Sequence, residues 1–330
     1  MNFSQLMSLA TAHAEARIVQ TALELKIFEA LEDADQSAKK VAERLNLDVK
    51  ATELLLNALS ALDLLQKHGE AFSLSRATKT YLLERSPRSV SGMIRFESSL
   101  WRCWERLPEA VRTGTAVRPA DMYQDDRRET EIFIEAMDSL VKARGDANIL
   151  TDTLDWSKVD TLLDIGSGPA TYPITLCRRF GGLRATIFDL PGTLAITERY
   201  VREAGMTERI RLVAGDYRSD PIRGKYDVIF LSNIVHGENF EKNQRLIAKL
   251  AEQLTPSGQI IIKDHILDES RARPAVGAIF SILMLLTTEA GRCYSYGEIK
   301  GWLQRAGLNQ VREITLPAPL TSSLIIGGKY

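Results

Sequence analysis

Hydrophobic residues follow two different patterns along this chain, and the pattern changes near residue 150. In the first part, apolar side chains such as Ile18, Ala22, Leu25 and Leu31 recur at helical spacing. In the second part, short apolar runs without polar alternation are separated by helical patterns; the runs cover residues 161–165, 185–189, 209–215, 226–232 and 259–264. Such runs are typical of strands that are covered on both faces. We therefore expect a helical domain over 1–150 and a doubly wound α/β domain over 151–330.

The helical part has the outline of a winged helix. A short helix, a turn at residues 46–48, a second helix over 51–62 and a hairpin over 66–75 follow one another. A DNA-reading helix needs long polar side chains that reach the bases, and the second helix carries Glu53 and Asn57 but no Arg. The sequence therefore favours a helical interaction domain, and a winged-helix transcriptional regulator is the alternative.

Composition narrows the choice of partners and of cell compartment. The chain has 42 basic and 43 acidic side chains, so its net charge of −1 gives no general attraction to nucleic acid or anionic membranes. Its three cysteines, Cys103, Cys177 and Cys293, are too far apart for a disulfide framework or a zinc site. The apolar run over 275–286 is too short to span a bilayer, and the N-terminus lacks a signal-peptide pattern. We expect a cytoplasmic protein without metal, nucleic-acid or membrane partners.

The ends of the predicted strands carry the candidate chemistry, because ligands of parallel sheets bind beyond these ends. The first strand leads into Asp164, Gly166 and Gly168, where glycines permit a tight turn and a close approach to the backbone. The second strand ends in Asp189, an acidic residue that can accept both hydroxyls of a ribose. Asp164 would repel a pyrophosphate but suits an amino group, so S-adenosylmethionine is preferred to NAD.

The later strand ends supply candidates for an adenine site and for a base. Asp216 could accept from the adenine amino group, and Tyr217 could pack on the ring. His236 follows the fourth strand, where an imidazole could accept a proton near neutral pH. Asp264 ends the fifth strand, so its carboxylate could hold that imidazole in one tautomer.

Together these motifs resemble the class I S-adenosylmethionine-dependent methyltransferases, specifically the caffeate and acetylserotonin O-methyltransferase type. The resemblance covers nearly the whole chain and rests on ordered segments: ALELKIFEAL, LLDIGSGPAT, IFDLPG, VAGDY, LSNIVH and GRCYSYGEIKGWLQRAGL. It implies a seven-stranded Rossmann-like sheet with an N-terminal winged-helix dimerisation domain. It also implies a homodimer in which each chain can contribute to its partner's acceptor pocket.

The resemblance assigns roles to residues. His236 would be the general base and Asp264 would orient it. The cofactor S-adenosylmethionine would be bound by Asp164, Gly166, Gly168, Asp189, Leu190, Asp216, Tyr217 and Ser232. Met284 and Thr288 would lie on the helix that lines the acceptor pocket, and Phe280 could join them there or belong to the helix core. The acceptor would be a small phenolic or polycyclic molecule.

Three departures from the family pattern concern the acceptor and the base. Gly237 and Glu238 follow His236 where plant members have Asp-Trp, Ser232 replaces a family lysine near the adenine, and Cys293 replaces a second glutamate near the base. These changes leave methylation of carbon or nitrogen open, as well as a relative that binds the cofactor without transferring its methyl group.

Overall fold

The computed structural model describes residues 1–121 and 123–329. Contacts within it define two units, of which the first contains Met1–Trp101 and Glu135–Ala143. The second unit contains Arg102–Ile134 and the chain from Arg144 onward. The units therefore alternate along the chain between residues 101 and 144, whereas the sequence predicts a single division near residue 150.

The first unit consists of helices and a small antiparallel sheet of strand order β1-β3-β2. Its elements are α1 (Phe3–Glu24), α2 (Ile27–Ala30), β1 (Gln36–Ser37), α3 (Ala38–Leu45), α4 (Val49–Ala61), β2 (Leu65–His68), β3 (Ala71–Leu74), α5 (Arg76–Tyr81) and α6 (Ser91–Ser99). The helix–turn–helix and hairpin from α3 to β3 form the winged helix that the sequence predicts.

Local capping explains where the helices of this motif begin. The side chain of Ser37 accepts a hydrogen bond from the amide of Lys40, and Asp48 accepts one from the amide of Ala51 at 2.7 Å. Such N-caps satisfy amides that have no partner within the helix. The prediction that Leu25 belongs to the apolar stripe of the first helix is wrong, because helix α1 ends at Glu24 and Lys26 adopts a left-handed conformation with φ 59°. Leu25 is consequently 37% exposed, and Ile27 is buried instead.

Helices of irregular length connect the winged helix to the α/β part. They are α7 (Trp101–Glu105), α8 (Leu107–Thr113), α9 (Arg127–Arg144) and α10 (Asp146–Thr153). Helix α9 contains residues of both units. Among the residues that the structure describes, no helix combines the length and the apolarity needed to cross a membrane.

The second unit is built around a seven-stranded sheet of order β6-β5-β4-β7-β8-β10-β9. Its elements from the first strand onward are β4 (Thr161–Ile165), α11 (Thr171–Arg179), β5 (Arg184–Asp189), α12 (Pro191–Glu203), β6 (Ile210–Ala214), β7 (Tyr226–Ser232), the 3-10 turn Val235–Gly237, α13 (Phe240–Ala251), β8 (Leu254–Asp264), α14 (Ala275–Thr287), α15 (Tyr296–Arg305), β9 (Gln310–Thr315) and β10 (Ser323–Gly328). The five predicted strands are parallel, and β10 pairs antiparallel with both β8 and β9.

The strand order places a ligand cleft above β4. The chain leaves β4 toward β5 on one side and later returns to β7 on the other side, so the order reverses at this strand. In open α/β sheets ligands bind at such a reversal, beyond the carboxyl ends of the strands. The predicted site residues on these ends therefore lie along one edge of the sheet.

Candidate active site

A glycine loop joins β4 to α11. Gly166 and Gly168 have φ values of 63° and 59°, a left-handed conformation that favours glycine. A Cβ atom at Gly166 would collide with Ile234 Cδ1, the end of a side chain that can shift, so the left-handed backbone is the main reason for glycine here. The close approach of a ligand to this backbone stays a prediction from the sequence.

Asp164 lies near the end of β4, before this loop, and one of its carboxylate oxygens accepts no hydrogen bond from a described residue. Its side chain is 1% exposed, and Oδ2 accepts a hydrogen bond from Ser167 Oγ at 2.6 Å. Oδ1 is buried and has no hydrogen-bond partner among the described residues. Burial raises the pKa of Asp164 to about 7, against the lowering effect of Ser167. A cationic amino group would satisfy this oxygen and favour the ionised carboxylate.

Asp189 is held at the end of β5 by two backbone amides. Its Oδ2 accepts from Gly168 N at 2.9 Å, and its Oδ1 accepts from Leu190 N at 2.8 Å. Burial raises the pKa of Asp189 to about 6, although both amide hydrogen bonds act in the opposite direction. The carboxylate therefore connects the ribose position that the sequence predicts to the glycine loop.

The end of β6 presents a carboxylate and a phenol to different neighbours. Asp216 pairs with Arg218, whose Nη2 lies 2.8 Å from Oδ2. Tyr217 donates its hydroxyl to Glu238 Oε1 at 3.2 Å, and burial raises the pKa of this phenol. Glu238 is 6% exposed, and burial raises its pKa despite the nearby Lys242. Glu238 thus holds the hydroxyl group of Tyr217 in place.

His236 and Asp264 form a close pair across the ends of β7 and β8. His236 Nδ1 lies 2.8 Å from Oδ1 and 3.1 Å from Oδ2 of Asp264, which is 1% exposed. Burial would raise the pKa of Asp264, but the charge of His236 and its hydrogen bond outweigh burial and lower it. With Nδ1 directed at a carboxylate, Nε2 is the ring nitrogen that can accept a proton.

Three residues that sequence reasoning missed hold the turn that carries His236. Asn243 Nδ2 donates to Val235 O at 2.7 Å, and Tyr294 Oη donates to Glu238 O at 2.6 Å. Gly291 packs so closely on the backbone carbonyl of His236 that a Cβ atom would collide with it. The polar helix start gave some signal for Asn243, whereas the contacts of Tyr294 and Gly291 depend on chain segments far apart in sequence.

An aromatic side chain of α14 lies between two histidines. The ring centroid of Phe280 is 4.8 Å from that of His236 and 5.0 Å from that of His265. Met284 is 7% exposed one helical turn away. The hydroxyl of Thr288 donates to Met284 O at 2.7 Å and accepts from Gly291 N at 2.9 Å, so it is engaged within the chain.

A neutral thiol replaces the second acid that the family pattern has near the base. Cys293 is 1% exposed, and burial raises its pKa to about 12, with Asp264 adding to the effect. Its backbone amide donates to Ser281 Oγ at 3.1 Å. The carboxylate next to His236 is therefore Asp264. Within the described part of the chain, no three His, Cys, Asp or Glu side chains are grouped as a metal site.

Known proteins share both parts of this architecture. Residues 106–309 match the family model of the O-methyltransferase domain, and residues 7–84 match that of the O-methyltransferase dimerisation domain. The chain is 30% identical to the 3-hydroxy-5-methyl-1-naphthoate 3-O-methyltransferase of Streptomyces sahachiroi, covering 98% of this chain and 94% of the relative. It is 31% identical to the tetracenomycin polyketide synthesis 8-O-methyl transferase of Streptomyces glaucescens, covering 98% and 96%.

Solved structures agree with this relationship. PigF, solved with S-adenosylhomocysteine (SAH), has a TM-score of 0.91 and 25% identity over 100% of both chains. Human N-acetylserotonin methyltransferase in complex with S-adenosylmethionine has the same fold, with a TM-score of 0.90 and 23% identity over 99% and 97%. This chain belongs to the O-methyltransferase family and is an S-adenosylmethionine-dependent enzyme.

Proposed function

We propose that this enzyme methylates a phenolic hydroxyl of a fused-ring aromatic molecule, with His236 as the general base. The pairing of His236 Nδ1 with the buried Asp264 at 2.8 Å carries this proposal. Two relatives that cover 98% of this chain are described as O-methyltransferases of a naphthoate and of tetracenomycin synthesis. The naphthoate and the tetracenomycin polyketide in the names of these relatives motivate the choice of acceptor class.

The strand ends fit the cofactor in their donor and acceptor groups. The unpartnered Oδ1 of Asp164 suits an ammonium group, and Asp189 keeps lone pairs for ribose hydroxyls beside its two amide bonds. Leu190, Asp216 and Tyr217 would surround the adenine, and Ser232 would contact the cofactor from the end of β7. S-adenosylmethionine supplies a methyl group activated by a sulfonium centre.

Within the site, His236 would remove the proton of the acceptor hydroxyl through Nε2. Asp264 would fix the tautomer through Nδ1 and stabilise the imidazolium that results. General-base action of this kind contributes about 10²–10⁴-fold in rate. Alignment of the reacting groups contributes more, since it can lower the activation barrier by about 7–11 kcal/mol.

An apolar and aromatic surface on α14 would bind the rings of the acceptor. Phe280 stands edge-on to the His236 ring, and Met284 lies one turn further along the helix. Aromatic rings favour such edge-to-face neighbours, and methionine adapts to several ring shapes. The fixed hydroxyl of Thr288 would shape this wall but would not donate to the acceptor.

The N-terminal helix would mediate homodimer formation. The dimerisation-domain match begins at residue 7, within α1. This helix exposes Phe3 by 80%, Leu6 by 51% and Leu9 by 65%. Exposed apolar side chains grouped on one short segment are typical of an interface. A second copy of this chain would cover them.

The acceptor class is tested by methyl transfer from isotopically labelled S-adenosylmethionine to a panel of naphthols, polycyclic phenols, arylamines and aromatic carbon acids. Mass spectrometry of the products would locate the label. The proposal expects one added methyl group on the oxygen of a fused-ring phenol. Label on nitrogen or carbon, with phenols left unmodified, would contradict it.

A further inference from the structure

A fully buried lysine ends β8 on the face opposite to Asp264. Lys263 is 1% exposed, and successive residues of a strand point to opposite faces of the sheet. Lysine is almost never buried this deeply without a partner. This side chain belongs neither to the His236–Asp264 pair nor to the predicted cofactor contacts.

The partner of Lys263 is an equally buried carboxylate that a second cation also contacts. Lys263 Nζ lies 3.2 Å from Oδ2 of Asp146, which is 0% exposed at the start of α10. Arg144 donates to both oxygens of the same carboxylate, from Nε to Oδ1 at 2.9 Å and from Nη2 to Oδ2 at 2.7 Å. Two cations therefore share one anion.

This cluster of Arg144, Asp146 and Lys263 has one positive charge in excess when both bases are protonated. Lys263 Nζ makes no hydrogen bond of normal geometry to any described residue beyond its ion contact. Burial lowers the pKa of Lys263, and Asp146 opposes this effect. A buried excess charge is costly, so the cluster is best satisfied by a further anion.

The cluster lies on the same edge of the sheet as Asp164. Strands β4, β7 and β8 are consecutive in the sheet, and Ser232 of β7 pairs in register with Lys263. Asp164 is level with Phe230 and Ile261, so Lys263 lies two strand spacings of about 4.8 Å away and two residues of about 3.3 Å further along. The two backbones are therefore about 12 Å apart. Tyr172 contacts the cluster, since its hydroxyl donates to Asp146 Oδ2 at 3.4 Å. Burial, then Asp146, raises the pKa of this phenol, and Asp164 adds to the effect.

The edge thus combines the buried carboxyl of Asp164, whose Oδ1 has no partner among the described residues, with a cluster that is positively charged when Lys263 is protonated. This arrangement complements a zwitterion such as the amino-acid end of S-adenosylmethionine. We propose that Arg144, Asp146 and Lys263 form the subsite for the carboxylate of that end, while Asp164 receives its ammonium. The proposal rests on the cofactor placement of the proposed function and is independent of the acceptor and of His236.

Two variants test the subsite by calorimetric binding of product analogues, without turnover. Lys263→Met leaves Asp146 paired with Arg144, and Arg144→Gln leaves it paired with Lys263, so neither leaves a buried carboxylate alone. We expect either change to weaken SAH by about 10- to 100-fold, the effect of losing a charge-assisted hydrogen bond. Binding of methylthioadenosine, which lacks the amino-acid end, should stay within about twofold on the same grounds.

Decarboxylated SAH allows a double-mutant cycle in which the Lys263 side chain and the ligand carboxylate are removed separately and together. In the original chain, loss of the ligand carboxylate should weaken binding; in Lys263→Met the same loss should have little further effect. Equal losses for SAH and decarboxylated SAH in both variants would overturn the proposal and make the cluster structural. Lys225→Met is the control, because Lys225 lies at the opposite end of β7 and donates to the backbone carbonyl of Glu252. If Lys263→Met does not fold, Arg144→Gln alone decides.

Discussion

The Nδ1 atom of His236 lies 2.8 Å from Oδ1 and 3.1 Å from Oδ2 of Asp264, so one buried carboxylate faces the ring edge with both oxygens. The amide of His265 donates to the same Oδ1 at 2.7 Å and fixes the carboxylate in turn. The imidazole is thereby held in one orientation with Nε2 available. This relationship underlies the proposed base role and the first prediction.

Replacing Asp264 by Asn should leave the ring in place but remove the charge that stabilises its protonated form. We expect turnover to fall by about 10- to 100-fold, as for other residues that orient a functional histidine. The acid limb of the pH–rate profile should move to lower pH. Steady-state rates across the pH range measure both effects. Equal rates at every pH would remove Asp264 from the orienting role.

Gly291 should tolerate no side chain, because a Cβ atom would collide with His236 O and lie 2.6 Å from Thr288 Oγ1. Gly291→Ala should displace the turn that carries His236 and lower the free energy of unfolding by about 1–3 kcal/mol, as overpacking does. Denaturant melts and turnover would show the two losses together. Gly181→Ala is the matched control, since no atom lies within 4 Å of its added Cβ.

Asp164 should make the free enzyme less stable as the pH rises. Burial raises its pKa from 3.8 to about 7 in the folded chain. Its stabilising effect is therefore complete below the unfolded pKa and is lost as the pH rises through about 7. The stability difference between the original chain and Asp164→Asn should shrink by about 1–3 kcal/mol between pH 5 and pH 8. Urea melts at both values measure it, and a constant difference would contradict the account.

The dimer should depend on the exposed apolar side chains of α1. Leu6→Glu places a charge on a side chain that is 51% exposed in the single chain. Because the charge would have to be desolvated at an interface, the variant should sediment as a monomer where the original chain sediments as a dimer. Glu15→Gln on the same helix, also exposed, is the control. A dimeric Leu6→Glu would place the interface elsewhere.

Much of the sheet could be predicted because its signals are local. The strands over 161–165 and 226–232 have the predicted bounds, since uninterrupted apolar runs are bounded by polar or glycine residues. The glycine loop could also be predicted, because Gly166 and Gly168 have left-handed backbone conformations that favour glycine. The resemblance implied seven strands, but the local pattern located only five of them, and the positions of the antiparallel strands β9 and β10 were not predicted.

Contacts between distant segments could not be predicted from local patterns. The prediction for Leu25 failed because α1 ends at Glu24, one residue before Leu25, and the left-handed Lys26 then turns the chain. The pairing of Lys263 with Asp146 joins positions 117 residues apart through the packing of α10 on the sheet. Phe280 lies between two histidines for a similar reason, since α14 follows β8 and folds back over its end.

The central claim is that His236 acts as the base, and His236→Ala tests it most directly when turnover and SAH affinity are measured on the same preparation. The account predicts that turnover falls by about 10²–10⁴-fold. SAH affinity should stay within about twofold, since the His236 ring hydrogen-bonds to Asp264, which is not a predicted cofactor residue. Turnover close to that of the original chain, with SAH still bound, would contradict the claim.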